Sequence, residues 1–327
     1  MTWLITGGAG YIGGHVVRAM TGAGERTVVY DDLSTGLAER VPQGVPLVVG
    51  STLDADRVAG ALREHAVTGV VHLAAKKQVG ESVEQPLRYY RENVEGLRVL
   101  LDAVTDARVP SFVLSSSAAV YGMPYTETGL VTEDTPCVPM SPYGETKLAG
   151  EWLTRAVGRA TGLRTACLRY FNVAGAASPE LADTGVFNLV PMVFEKLTAG
   201  EPPRIFGADY ATPDGTCVRD YIHVTDLAEA HVAAARRLAG APEATDLTLN
   251  VGRGEGVSVR EMVDLIADVT GYDIPATVTE RRAGDPARVV AAADRVTAEL
   301  GWSAKRDVRE MVESAWAGWT RLHPEPA

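Results

Sequence analysis

Residues 2–13 read TWLITGGAGYIG, a short apolar run that ends in closely spaced glycines. No other stretch limits the possible folds as tightly. Gly8, Gly10 and Gly13 satisfy G-x-G-x-x-G, and Gly7, Gly10 and Gly13 satisfy G-x-x-G-x-x-G. Lacking side chains, such a turn lets backbone amides approach a pyrophosphate at the positive N-terminus of the next helix. Glycine-rich turns are common, so context has to decide. The second strand ends in VVYDD, placing Asp31 about 20 residues beyond the loop, where an acid accepts hydrogen bonds from an adenosine ribose. A carboxylate there repels the 2′-phosphate of NADP, and no arginine or lysine stands beside it. Loop and acid together point to NAD.

The first half of the chain alternates short β-branched runs with longer amphipathic stretches. TWLIT, TVVYD, PLVVG, GVVHLAA, SFVLSSS and TACLRYFN read as strands. Helical segments are expected from Gly10, Leu53, Arg88 and Pro142, the last running to about Ala160. This rhythm predicts an α/β fold with a Rossmann-type, doubly wound parallel sheet. After Phe171 it breaks. GAASPELADTGVF and FGADYATPDGTC are rich in Gly, Pro and Asp and read as long functional loops. Helices are expected near 187–200, 225–239 and 258–270, with short strands at LTLNVG and ATVTE. At 327 residues the chain exceeds the usual single-domain size. We expect an NAD-binding domain over 1–172, with returning segments from about 215–240, and a smaller α/β substrate-binding lobe over most of 173–327. The closing HPEPA is expected to fray.

A formal charge of −11 and a pI of about 5.1 argue against general affinity for nucleic acid or an anionic membrane. No apolar run approaches the roughly 18 residues of a membrane span, and the N-terminus reads as no signal peptide. Cys137, Cys167 and Cys217 are dispersed and odd in number, which suits a reducing cytoplasm rather than a disulfide framework. No H-x-x-x-H or C-x-x-C spacing is present, so no metal site is expected. His72 and His223 fall in strand-like runs and read as structural.

Residues 141–147 read SPYGETK. On a helix, Tyr143 and Lys147 share a face. An adjacent ammonium and a positive nicotinamide ring would stabilise a phenolate, lowering the tyrosine pKa and making a base for a sugar hydroxyl. The spacing alone does not separate this from the first turn of an ordinary helix. A hydroxyl at the end of a neighbouring strand would complete the site. VLSSSAAVYG offers Ser115, Ser116 and Ser117, of which Ser117, the last, is the expected partner of the reacting oxygen.

With these motifs in place the chain resembles the extended short-chain dehydrogenase/reductases, specifically the UDP-glucose (UDP-galactose) 4-epimerase family. The resemblance runs nearly end to end, through TGGAGYIGGH, VGESVEQPLRYYRENVEGL, SSSAAVYG, SPYGETK, RYFNVAGA and GTCVRDYIHVTDLAEAHV. The glycine loop and Y-x-x-x-K mark the superfamily only; the VGESV and VRDYIHV blocks are more specific. Matched positions imply further roles. On the cofactor side are Tyr11 and Ile12 in the glycine loop, Asp32, Leu33 and Ser34 after Asp31, and Ser51 and Thr52 after the third strand. Leu73, Ala74 and Ala75 lie along the dinucleotide, with Lys77, Asn93 and Phe171 near the nicotinamide, beside Tyr143 and Lys147. On the substrate side are Ser117, Asn172, Asn188 and Leu189, with Phe206 packing uracil. Arg219 and Arg282 bind the diphosphate and Asp285 the uridine ribose.

By the same resemblance Tyr143 takes the 4-hydroxyl proton while the C4 hydride passes to NAD; the 4-keto sugar turns, and hydride returns to its other face. Related dehydratases carry an Asp-Glu pair after the strand hydroxyl, where this chain has Ala118 and Ala119, so elimination is disfavoured. Ser51 stands where relatives often carry an aspartate facing adenine. Val289 occupies a gate beside the sugar's C2 substituent, where a small residue admits N-acetyl groups. The resemblance therefore implies action on UDP-glucose and UDP-galactose, with some on the N-acetylhexosamine pair. Alternatives are a UDP-pentose or UDP-uronic acid epimerase and a non-catalytic NAD-binding or redox-sensing protein. It also implies a homodimer, through the helix after SPYGETK and the one spanning ESVEQPLRYYRENVEGLRVLLDAV.

Overall fold

A computed structural model describes residues 1–126, 128–282 and 284–324. Strands β1 (Thr2–Thr6), β2 (Arg26–Asp31), β3 (Leu47–Val49), β4 (Gly69–His72), β5 (Ser111–Ser117) and β6 (Arg164–Tyr170) form in turn. Then come β7 (Asn172–Ala174), β8 (Arg204–Phe206), β9 (Val218–His223), β10 (Asp246–Val251), β11 (Gly256–Ser258), β12 (Thr277–Thr279) and β13 (Arg288–Val289). The large sheet runs β10-β6-β5-β4-β1-β2-β3, every neighbouring pair parallel. β1, β4 and the first six residues of β5 are buried throughout, as expected where helices cover both faces.

Those faces carry separate apolar cores. One packs Ile5, Val16, Met20 and Val29 against Leu227, Ala234 and Leu249. The other gathers Leu4, Tyr30, Leu62, Leu100 and Phe112. Chain order reverses at β1, which lies between β2 and β4. Such a switch point opens a crevice at the carboxyl ends of the strands.

The helix Pro142–Thr161 brings its first turns to the wall of that crevice. Its start is fixed by Ser141, whose Oγ accepts from the Gly144 amide at 3.2 Å, and by Pro142 at the first helical position. Gly162 ends it with a left-handed φ of 82°. Tyr143 and Lys147 thus occupy its first turns.

In the smaller lobe β9 pairs with β7, β11 and β13, while β8 pairs with β12. The helices Leu189–Thr198, Val259–Thr270 and Val308–Leu322 close over a core of Phe194, Ile205, Met262, Ile266, Met311 and Trp319. The rings of Trp316 and Trp319 lie 5.1 Å and 5.8 Å from that of Phe194, within the range for favourable aromatic pairs.

Several elements differ from the sequence-based expectation. The GVVHLAA strand stops at His72, and Leu73–Ala75 leave the sheet as cleft wall. The helix expected from Arg88 is assembled from Val79–Glu84, Pro86–Tyr89, a wide π-turn at Tyr90–Glu95 and Gly96–Asp106. LTLNV joins the large sheet, paired with β6. Of HPEPA, residues 325–327 lie outside the described residues. Among the described residues, no helix is long and apolar enough to cross a membrane, and no cluster of His, Cys, Asp or Glu could hold a metal ion.

Candidate active site

A cleft of about 420 Å³ opens at the switch point. Its walls are the glycine loop, the end of β2, residues 73–78 after β4, and Tyr143 and Lys147. Gly7, Gly10, Tyr11, Ile12, Gly13, Asp31, Asp32, Ser34, Ser51, Thr52, Leu73, Ala74, Ala75 and Lys77, all named from the sequence, line it.

The glycines there are sterically required. Gly7 has φ +70°, and a Cβ on it would lie 2.7 Å from the Ala74 nitrogen. A Cβ on Gly13 would lie 2.0 Å from the Gly7 carbonyl oxygen. The loop is folded tightly on itself and against the end of β4, leaving a cradle that side chains would fill.

Asp31 closes the second wall. Its Oδ2 accepts from the Ala9 amide and its Oδ1 from the Leu33 amide, both at 2.9 Å. Burial raises its pKa, and those two amides pull it part of the way back. The carboxylate therefore ties the turn after β2 to the glycine loop. Cradle, strand-end acid and cleft fit a dinucleotide.

Tyr143 and Lys147 are brought together as the spacing predicts, the amine 5.9 Å from the phenol ring centroid. Both are buried. Lys147 Nζ donates to the Ser115 carbonyl oxygen at 3.0 Å, tethering helix to strand. Burial pulls the amine down to about 8, and Glu151, one turn away, works against that fall. Burial pushes the phenol up, and the Ser117 hydroxyl offsets part of the rise.

The strand serines separate by partner. Ser115 bonds the His231 ring at 2.8 Å, and Ser116 donates to Glu151. Both are fully buried. Ser117, half-buried, accepts from the Ala119 amide at 3.2 Å and acts on the Tyr143 phenol.

Leu33, Asn93 and Phe171 are not part of the cleft wall. Leu33 packs toward the core beside β2. Asn93 lies in the π-turn, accepts from the Lys76 amide at 2.8 Å and donates to the Lys76 carbonyl at 3.0 Å. It fixes the backbone that carries the neighbouring lysines. Phe171 packs with Val120, Tyr121, Leu148 and Val289, while Tyr170, the residue before it, faces the cleft.

The residues assigned to the sugar nucleotide lie on separated segments. Arg219 donates to Asp285 Oδ1 at 2.9 Å and to the Pro286 carbonyl at 2.7 Å. Arg282 stacks over Phe206, 3.7 Å from the ring centroid. Asn172 donates to the Asp220 carbonyl at 3.1 Å, and Asn188 to Asp183 at 3.4 Å. Leu189 opens the next helix, half-buried against the lobe core. Val289 is buried and in register with Arg219.

The cleft also includes Arg40, Lys76, Tyr170, Asp183 and Phe187. Lys76 reaches Ser34 Oγ at 3.2 Å; its place beside Lys77 was the available signal. Arg40, buried, donates to the Ala182 carbonyl at 2.6 Å and pins the 175–187 loop to the large domain. Nothing local in the sequence marks it.

Fold and site together define a Rossmann-type dinucleotide-binding protein with a tyrosine–lysine pair at the cleft. The chain belongs to the NAD dependent epimerase/dehydratase family, whose model matches residues 3–252. It is 46% identical to a UDP-glucose 4-epimerase of Azospirillum brasilense, over 97% of this chain and 91% of that one. Among solved structures it is similar to the UDP-glucose-4-epimerase of Stenotrophomonas maltophila, crystallised with bound NAD and formylated UDP-arabinopyranose. There the TM-score is 0.93 at 37% identity, covering 98% of each chain. It is also similar to the UDP-Glc/GlcNAc 4-epimerase of Campylobacter jejuni, with TM-score 0.87 at 33% identity over 98% of this chain and 99% of that one.

Proposed function

We propose that this protein interconverts UDP-glucose and UDP-galactose by inverting C4 through transient oxidation, using tightly held NAD. The observation that carries the reading is the buried Tyr143–Lys147 pair at the wall of the dinucleotide cleft, with Ser117 beside the phenol. NAD, when bound, would supply the hydride acceptor and donor and a positive charge. Tyr143 removes the 4-hydroxyl proton and later returns it, and Ser117 hydrogen-bonds the same oxygen. Lys147, fixed by the Ser115 carbonyl, holds a positive charge beside the phenol ring. Ala118 and Ala119 offer no acid or base for elimination, so the sugar keeps its C6 hydroxyl and is reduced back at C4.

Inversion needs a hexose free to turn on a nucleotide that is held. Arg219, Arg282 and Asp285 form the diphosphate and ribose grip and Phe206 the uracil platform, with Asn172, Asn188 and Leu189 along the sugar nucleotide. Remote binding energy then retains the substrate while its reacting end stays mobile. Val289 leaves room beside C2, which favours additional turnover of the UDP-N-acetylhexosamine pair.

The active unit in this reading is a homodimer. Leu87 is 86% exposed, Val83 62% and Trp152 62%. These residues lie on the helical run 79–95 and on Pro142–Thr161, joined where Tyr90 donates to Glu145 at 2.8 Å. A cytoplasmic setting is consistent with the three free cysteines.

The test is a panel of nucleotide sugars, including UDP-N-acetylglucosamine and a UDP-pentose, followed by NMR of C4 stereochemistry without added NAD. Interconversion of UDP-galactose and UDP-glucose with co-purified cofactor is expected. Binding of NAD with no inversion of any UDP-sugar would overturn the reading.

A further inference from the structure

Directly behind the Tyr143–Lys147 pair lies a buried carboxylate that this chemistry does not use. Glu151 follows Lys147 by four residues, on the same helix face, and is fully buried. Its Oε1 accepts from Ser116 Oγ and, at 2.9 Å, from Arg169 Nε. Its Oε2 accepts from Arg169 Nη2 at 2.6 Å. Arg169 completes its own bonding to the Tyr121 hydroxyl at 3.0 Å and the Glu133 carbonyl at 3.2 Å. The Tyr121 hydroxyl in turn donates to Asn250 at 2.6 Å.

One carboxylate thus binds three elements, and each carries a site residue next to the bond. Ser116 precedes Ser117 on β5, Arg169 precedes Tyr170 on β6, and Lys147 lies one helical turn before Glu151. Ser115, whose carbonyl holds the Lys147 amine, is the other neighbour of Ser116. Replacing a buried ion pair by apolar packing is often neutral or stabilising, so the pair is weak evidence for a role in stability alone.

We propose that Glu151 is a positioning residue for this active site: it locks the Tyr143 helix to β5 and β6 and keeps negative charge one turn from the Lys147 amine. The proposal rests on the reading that Tyr143 and Lys147 perform the proton chemistry. Around Lys147 the titratable groups are Tyr143 and Glu151 on its own helix and His72 on β4, with the Ser115 carbonyl from β5. Around Glu151 they are Arg169 and Cys167 on β6, Arg155 on its helix and Cys137 from the loop. Glu151 is the acid that acts on the amine, and it acts to keep it protonated.

Glu151→Gln keeps the shape and removes the charge. NMR titration of lysine-labelled protein, with the Lys147 resonance assigned by its loss in Lys147→Arg, reads the amine directly. The amine should titrate about one pH unit lower in Glu151→Gln, and kcat should fall about tenfold with the alkaline limb of its pH profile moved the same way, KM for UDP-galactose changing little. Glu151→Asp, which retains charge but not reach, should lower kcat while leaving the limb near its parental position. An amine and a limb unmoved in folded Glu151→Gln would overturn the proposal, whatever the loss of rate. Should that variant not fold, the double change Glu151→Gln/Arg169→Gln, which leaves no unpaired cation, replaces it under the same criterion. Tyr143→Phe serves as the control for the underlying reading: if that variant bound NAD and kept full turnover, the site assignment would fail independently of Glu151.

Discussion

The two halves of the site are built differently. On the dinucleotide side the walls are braced by the protein itself. The glycine turn is braced against Ala74 and against itself, and Asp31 is held by two backbone amides. On the sugar-nucleotide side several groups are engaged by neighbouring protein groups. Arg219 is paired to Asp285, Arg282 lies on Phe206, and Asn172 and Asn188 bond neighbouring protein groups. A ligand entering the first half meets a preformed cradle; one entering the second must exchange partners. That asymmetry suits a cofactor kept through many turnovers and a substrate that comes and goes.

Disturbing the preformed half should have the largest effect. A methyl group added at Gly13 would sit 2.0 Å from the Gly7 carbonyl oxygen, so the loop must move rather than accommodate it. Gly13→Ala is expected to purify without NAD and to lose roughly a hundredfold or more in turnover. Absorbance of the purified protein and an assay with added NAD check this. A variant that retained cofactor would show the cradle to be less rigid than its geometry implies.

The adaptable half should respond through affinity. Arg219→Met removes a planar donor set and frees Asp285, with no effect on the cradle. Losing one charge-assisted contact costs about 2 kcal/mol, or roughly 30-fold, partly offset because the Arg219–Asp285 pair no longer has to be broken. KM for UDP-galactose should rise by up to that factor with NAD content unchanged. A fall in kcat at constant KM would place Arg219 in the chemistry instead.

The same asymmetry explains what could be read from the sequence. The glycine loop, Asp31 and Tyr143–Lys147 are each encoded within a few consecutive residues, so local spacing fixes their geometry. Ser117 was separable from Ser115 and Ser116 only by position at the strand end, and the structure supplies the reason in the partners His231 and Glu151. Arg40 and Phe187 carry no such signature, because they reach the cleft through loops whose course depends on the lobe. Asn93 is aligned by a π-turn that periodicity at 3.6 residues does not reveal. LTLNV was legible as a strand but not as a member of the large sheet, since parallel pairing with β6 is a long-range choice. The burial that raises the phenol is likewise a property that sequence spacing does not measure.

Electrostatics within the cofactor half give an effect of about tenfold per pH unit. The Lys147 amine, pulled down to about 8 by burial, carries its charge below that value and loses it above. Turnover should therefore fall on the alkaline side, from a midpoint near 8 that bound ligands shift. Stability runs the other way for this group. The unfolded lysine holds its proton more tightly, so between about 8 and its ordinary value near 10.5 the folded state gains from rising pH. Lys147 should therefore cost activity over a pH range in which it does not destabilise the fold. A pH–rate series paired with thermal melts checks this, and rate loss that merely tracked unfolding would contradict it.

The smallest expected effect lies where the two halves meet. Val289 is 8% exposed, in register with Arg219 on β9, and belongs to the same packed cluster as Phe171, Tyr121 and, at its edge, Ala118. It therefore pairs with the strand that carries Arg219 and shares an apolar cluster with the residue following Ser117. Enlarging it acts in two ways. A tyrosine would crowd this cluster, at a cost of about 1–3 kcal/mol in stability, and would narrow the space assigned to the C2 substituent. Crowding alone would slow both substrate pairs together. Narrowing would act on the larger N-acetyl group selectively, and discrimination by pocket size is worth only about 1–3 kcal/mol at best. Val289→Tyr should thus lower the ratio of UDP-N-acetylglucosamine to UDP-glucose turnover by several-fold, beyond any shared loss. The two ratios measured on one preparation decide the matter: an unchanged ratio would leave Val289 as packing between the halves and remove it from substrate selection.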